Sequence, residues 1–169
     1  MSKRPFIGVV GEQECAPEMA ALAERVGEAL ARRGAVLVCG GMGGVMEAAA
    51  RGAKRAGGLT VGILPGAHRS SANPFIDVPI VTNLGEARNS IVVRSAQAIV
   101  AVGGSYGTLS EIAFALKLGI PVVGLATWRL DKDGHGREGF QDPIVRVSDP
   151  ETAVETALRL ATQYPETIP

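Results

Sequence analysis

The sequence predicts a doubly wound α/β fold. Three observations predict it. Short apolar runs rich in Val, Ile and Ala recur along the chain and read as strands buried on both faces. Stretches with apolar residues at helical spacing lie between them, and this alternation makes the sheet mainly parallel. Glycine-bearing turns then close three of the strands, at Gly11, at 40–44 and at 103–107. In such sheets ligands bind at the carboxyl ends of the strands, near the point where strand order reverses.

Each element has its own warrant. Residues 6–10 form the first strand, ending at Gly11. Pro17 opens a helix to Arg33, with Met19, Leu22, Ala23, Val26 and Leu30 on one face, and Gly34 ends it. Residues 35–39 form the second strand and 45–56 the second helix, closed by Gly57 and Gly58. Residues 59–64 form the third strand. The stretch 65–79 is too polar and too broken for a core element and reads as a loop. Residues 79–82 form a short fourth strand, after which Gly85 and Glu86 lead into a helix over 87–95. Residues 98–102, an unbroken apolar run, form the central strand. Helical spacing resumes from about Thr108 with Leu109, Ile112, Ala113 and Leu116, and Gly119 ends that helix. Residues 120–125 give another strand, 127–139 a polar, glycine-bearing flap, and 144–147 a last strand. Asp149 caps the final helix and Pro150 opens it. The chain from Gln163 reads as a frayed tail. The sum is one Rossmann-like domain over 1–169, with six or seven strands and helices on both faces.

Composition narrows the function. Lys plus Arg, 17 residues, equals Asp plus Glu, 17 residues, so a general electrostatic grip on nucleic acid or an anionic membrane is not expected. No apolar run reaches the roughly 18 residues that a membrane span needs. Cys15 and Cys39 have no metal-ligand spacing and read as free thiols of a cytoplasmic protein. No metal site is expected. His68 and His135 read as surface residues of polar loops.

The chemistry concentrates where the central strand turns through Gly103, Gly104 and Gly107 into a helix. Such a corner gathers backbone N–H groups and the positive end of a helix, which suits a phosphate. Ser105, Tyr106, Thr108 and Glu111 stand there too. Thr108 and Glu111 also fit a capping box, which needs no ligand. Gly41, Gly43 and Gly44, with Gly11, form a second glycine-rich approach, and their number exceeds what one tight corner needs. A dinucleotide motif is absent, because Met46 stands where a third glycine belongs. Arg88, a cation at the start of its helix, opposes the helix dipole, so its natural partner is an anion. Arg94 reads as a structural ion pair, and Trp128 either stacks on a base or packs against the protein. The chain is thus expected to be a phosphate- or nucleotide-binding protein.

The stretch Gly103-Gly104-Ser105-Tyr106-Gly107-Thr108-Leu109-Ser110-Glu111 resembles the Pro-Gly-Gly-x-Gly-Thr-x-x-Glu signature of the Lonely Guy family, and 40–46 resembles its glycine-rich second turn. The resemblance implies hydrolysis of nucleoside 5′-monophosphates to free base and ribose 5-phosphate. It implies catalytic roles for Arg88 and Glu111, no required cofactor, and a homodimer or homotetramer. Val102 replaces the family's proline and Asn89 the lysine after its arginine. The surrounding residues are closer to the sister branch with the molybdenum-cofactor carriers, which implies the alternative of a non-catalytic carrier or sensor. DNA handling, found elsewhere in this fold family, is disfavoured by the neutral charge. The older family label of lysine decarboxylase has no support, since no lysine stands in the glycine-rich corner to form a pyridoxal Schiff base.

Overall fold

The computed structural model describes residues 4–131 and 141–164. The strands are β1 (Phe6–Val10), β2 (Val36–Cys39), β3 (Leu59–Leu64), β4 (Val78–Val81), β5 (Ala98–Val102), β6 (Val122–Leu125) and β7 (Val145–Val147). The helices are α1 (Pro17–Arg32), α2 (Val45–Arg55), α3 (Asn89–Arg94), α4 (Tyr106–Lys117) and α5 (Pro150–Ala161). The strands form one sheet in the order β4-β3-β2-β1-β5-β6-β7, and every pairing is parallel.

Strand alternation sorts the two faces. Ile7, Val9, Leu37, Cys39, Ala98, Val100 and Val102 point into the layer made by α1, α2 and α5. Val10, Val38, Ile99 and Ala101 point the other way, towards α3 and α4. Every residue of β5 is buried, as its unbroken apolar run implies. Chain order runs outward from β1 in both directions. The reversal lies between β1 and β5, so the connections leaving these neighbours part to opposite faces and open a crevice at their carboxyl ends.

Several boundaries differ from the sequence reading, each for a local reason. The helix over 87–95 divides into a 3-10 turn, Gly85–Arg88, and α3. The strand over 120–125 starts at Val122, because Pro121 has no N–H for the ladder. The loop over 65–79 contains a 3-10 turn, Arg69–Ser71, and ends at β4. Asp149 caps α5 by accepting from the Thr152 N–H at 2.8 Å, as expected. Of the tail from Gln163, residues 165–169 lie outside the described residues. Tyr164 packs on the α3/α4 core and its hydroxyl donates to the Leu118 carbonyl at 3.4 Å. Of the flap over 127–139, residues 132–139, including His135, lie outside the described residues. Among the described residues Arg94 forms no ion pair, and its guanidinium lies 5.6 Å from the Phe114 ring centroid.

The α1–α2 contact depends on two glycines. A Cβ at position 27 would lie 1.8 Å from the Ala49 carbonyl oxygen, and one at position 52 would lie 1.9 Å from that of Glu24. Both obstacles are helix backbone, which cannot rotate away, so a methyl group forces the helices apart. Gly27→Ala or Gly52→Ala is expected to cost about 1–3 kcal/mol. At this size that lowers Tm by about 2–4 °C per kcal/mol. Gly66→Ala, whose Cβ meets nothing within 4 Å, is expected to leave the melt unchanged. Calorimetric melts of the three variants check this.

Candidate functional site

The corner after β5 takes its shape from backbone conformation. Gly103 and Gly104 have φ of +57° and +126°, where side-chain-bearing residues are strained. Ser105 then becomes the extended N-cap of α4, and the helix starts at Tyr106, two residues before the sequence reading placed it. This shift removes the capping box. Thr108 sits inside the first turn and is not the cap, so Glu111 has no cap amide to reach. Thr108 is 2% exposed, and its Oγ1 has no hydrogen-bond partner among the described residues.

Arg88 ends the 3-10 turn after β4, 7% exposed. Its Nε is buried and makes no hydrogen bond among the described residues. The guanidinium lies over Gly40, where a Cβ would come within 2.0 Å of Nη1. Gly40 therefore makes room for Arg88, whereas the sequence reading included it in the 40–44 turn as part of a close approach to a ligand. Glu111 is also buried, at 7% exposure. Burial pushes its carboxyl up to about 8; the Arg88 charge opposes that shift, and the Glu86 carboxylate adds to it. Near neutral pH Glu111 is thus mainly an uncharged carboxylic acid. Beneath them the Cys39 thiol, fully buried, is pushed up to about 11, mainly by desolvation.

Arg88, Thr108 and Glu111 meet in one cavity of about 360 Å³. Of the residues singled out from sequence, its wall includes Gly11, Arg88, Ser105, Gly107, Thr108 and Glu111. Gln13, Met46, Pro65 and Glu86 complete it with Asn89. The sequence held no signal for Gln13, Pro65 and Glu86, because they reach the wall only through the placement of neighbouring turns.

Gly41, Gly43, Gly44, Gly103, Gly104 and Tyr106 are not part of that wall. Their glycines serve close contacts within the chain. A Cβ at position 44 would stand 2.2 Å from the Glu12 carbonyl oxygen, and one at position 41 would stand 2.7 Å from Leu64 Cδ2. A Cβ at position 104 would strike Thr108 Cγ2 at 2.5 Å. Asn73 holds the turn after β2 from outside, donating through Nδ2 to the Met42 carbonyl at 2.8 Å. Tyr106 is 80% exposed and lies 5.7 Å, ring to ring, from Trp128. Trp128 in turn donates from Nε1 to the Ser105 carbonyl at 3.1 Å. The start of the former flap is thereby tied to the glycine corner.

Fold and corner together define a Rossmann-like α/β protein with buried donors at the carboxyl edge of a parallel sheet. The chain belongs to the SLOG cluster4 family, whose profile matches residues 4–154. An uncharacterized protein of Archaeoglobus fulgidus is 54% identical over 119 residues, 70% of this chain and 78% of that one. The cytokinin riboside 5′-monophosphate phosphoribohydrolase of Mycobacterium marinum is 39% identical over 103 residues. That match takes in 57% of this chain and spans about half, 53%, of the hydrolase. The molybdenum cofactor binding protein of Rippkaea orientalis superposes with a TM-score of 0.82 at 35% identity, over 95% of this chain and 99% of that one. No helix among the described residues is long and apolar enough to cross a membrane.

The buried carboxyl makes stability depend on pH. With its folded pKa raised from 4.5 to about 8, Glu111 keeps a proton in the folded chain that the unfolded chain releases. Its contribution is full below about pH 4.5, declines as pH rises towards 8, and then levels. Glu111→Gln is expected to remove this slope. Its Tm advantage over wild type grows between pH 5 and pH 8, reaching the equivalent of a few kcal/mol. Melts across that range check the sign.

Proposed function

We propose that this chain binds a phosphate-bearing heterocycle, as a carrier or sensor of a cofactor of the molybdopterin type. The observation that carries the reading is the pair of unpartnered buried donors, Arg88 Nε and Thr108 Oγ1, in the wall of one cavity. Leaving a buried polar group unsatisfied costs about 1–3 kcal/mol, more when it is charged. A phosphate oxygen relieves that cost at both groups, and the start of α4 adds backbone N–H groups and a favourable dipole. The cavity volume is at the low end of the roughly 300–1,000 Å³ typical of small-ligand sites.

The carrier reading draws support from two further features. The structural likeness to the Rippkaea orientalis protein extends over nearly the whole of both chains. Glu111, protonated near neutral pH, lacks the negative charge that would stabilise an oxocarbenium-like ribosyl cation. The residues present fit the phosphate end of such a cargo. Arg88 and Thr108 would hold its oxygens, and Glu111 as an acid would donate a hydrogen bond without repelling them.

Hydrolysis of a nucleoside 5′-monophosphate is the second reading. It is favoured by the 39% identity to the Mycobacterium marinum hydrolase and by one property of the site: a protonated Glu111 could act as general acid to a leaving base. A panel of nucleoside monophosphates, with released base followed by chromatography, separates the two. The carrier reading expects binding by calorimetry and no base after hours of incubation. Steady release of base that is lost in Glu111→Gln would establish the hydrolase instead.

Variants of the phosphate seat supply a second test. Arg88→Ala removes a charged donor and is expected to weaken AMP binding about 10- to 100-fold. Gly40→Ala is expected to keep the fold, since the atoms nearest its Cβ are side-chain atoms of Arg88 and Met46, yet to displace the guanidinium and lower affinity. Affinity should also fall as pH rises through about 8, where Glu111 acquires its charge. The phosphate monoester, with a second pKa of about 6, no longer titrates in that range. Glu111→Gln is expected to flatten this profile.

A further inference from the structure

The cavity has a floor and a rim. Arg88, Thr108 and Glu111 are buried and form the floor. Glu86 and Gln13 belong to the same wall but are exposed, so they stand at the rim. Glu86 makes no hydrogen bond or ion pair among the described residues, yet its negative charge reaches the Glu111 carboxyl and helps to hold the proton there. An exposed glutamate is commonly no more than a solvated surface group. The turn that carries this one is not a free surface loop. It is the 3-10 turn Gly85–Arg88, which also places the Arg88 guanidinium. The turn is fastened to the wall itself, since the Gly85 N–H donates to the Pro65 carbonyl at 3.0 Å and Pro65 lines the cavity. The backbone that fixes the cation on the floor thus fixes a carboxylate at the rim.

The other polar groups of the outer wall are amides. Asn89 already donates from Nδ2 to Ser110 Oγ at 3.3 Å. The Gln13 amide carries both donors and an acceptor and can turn either towards a ligand, so it accommodates many edges. A carboxylate only accepts. We propose that Glu86 is the specificity-determining residue for the heterocycle and selects a fused ring whose edge presents a ring N–H beside an exocyclic amine, as guanine does. The inference rests on the phosphate-binding reading given above. With the phosphate on the floor donors, the rest of the ligand extends towards the rim. Two adjacent donors meet the two carboxylate oxygens in a charge-assisted, bidentate pair. The adenine edge turns a ring-nitrogen acceptor towards the same oxygens, so one bond is lost and lone pairs face each other. Discrimination then comes from repulsion as well as attraction.

The test is titration calorimetry of GMP, IMP and AMP on wild type, Glu86→Gln and Glu86→Ala. IMP lacks only the exocyclic amine of GMP, and AMP presents one amine beside a ring acceptor. Wild type is expected to bind GMP about tenfold or more tighter than IMP or AMP, the loss that goes with one hydrogen bond to a charged group. In both variants the three affinities are expected to converge, mainly through weaker GMP binding. Both substitutions also relieve Glu111 of a neighbouring charge. That change acts on all three ligands through their shared phosphate, so the ratio still reports on the edge. Because Glu86 is exposed, both variants are expected to fold. Equal affinities in wild type, or a GMP preference kept in the variants, would overturn the role of Glu86 and leave the phosphate reading standing. Binding of none of the three by wild type would overturn both.

Discussion

A guanidinium buried without a partner for its Nε is the constraint on which the rest of this corner depends. Arg88 is placed by a 3-10 turn after the fourth strand and accommodated by the bare backbone of Gly40. Its neighbours could have been arranged to neutralise it internally, with Glu111 as an ion-pair partner. They are not. Glu111 feels the charge without bonding to it, and desolvation outweighs the attraction, so the carboxyl keeps its proton near neutral pH. The cation remains available to a ligand, and the acid beside it does not cancel that availability.

Two acids line the cavity with this cation, and a third is bonded elsewhere in the glycine corner. Glu111 is buried and mainly protonated; Glu86 lies in the cavity wall and raises Glu111 through its charge. Glu12 is bonded to the backbone of the glycine corner. The site is consequently not a broad basic pocket. It has one cationic point with acidic borders, which matches the neutral overall charge of the chain. This character is what the phosphate-bearing ligand proposed above would require.

Glycines in this chain divide by what approaches them. Gly27 and Gly52 let two helices touch backbone to backbone, Gly44 admits the carbonyl of Glu12, and Gly40 admits a guanidinium. Only the last of these bears directly on the buried donors. Counting glycines in the turn after β2 suggested a ligand against Gly41, Gly43 and Gly44. Within the chain those three also lie close to Leu64 and the connection between β1 and α1. A missing Cβ signals close approach in the sequence, but the approaching atom is known only once the turns are assembled.

The sequence by itself determined the sheet, its parallel sense, the glycine corner after β5 and the membership of Arg88, Thr108 and Glu111 in one region. Periodicity, buried apolar runs and turn residues are local signals, and the parallel α/β arrangement follows from them with few alternatives. The tertiary structure decided what those residues do to one another. Thr108 lost its capping role because the positive-φ glycines end at Gly104 and let the helix start two residues early. Glu111 became a neutral acid because burial, which no linear pattern records, outweighs a nearby cation. Glu12, 92 positions from Gly104, drew no notice as a sequence residue. The strand-order reversal sets it against the corner, since β1 and β5 are neighbours only in the folded sheet.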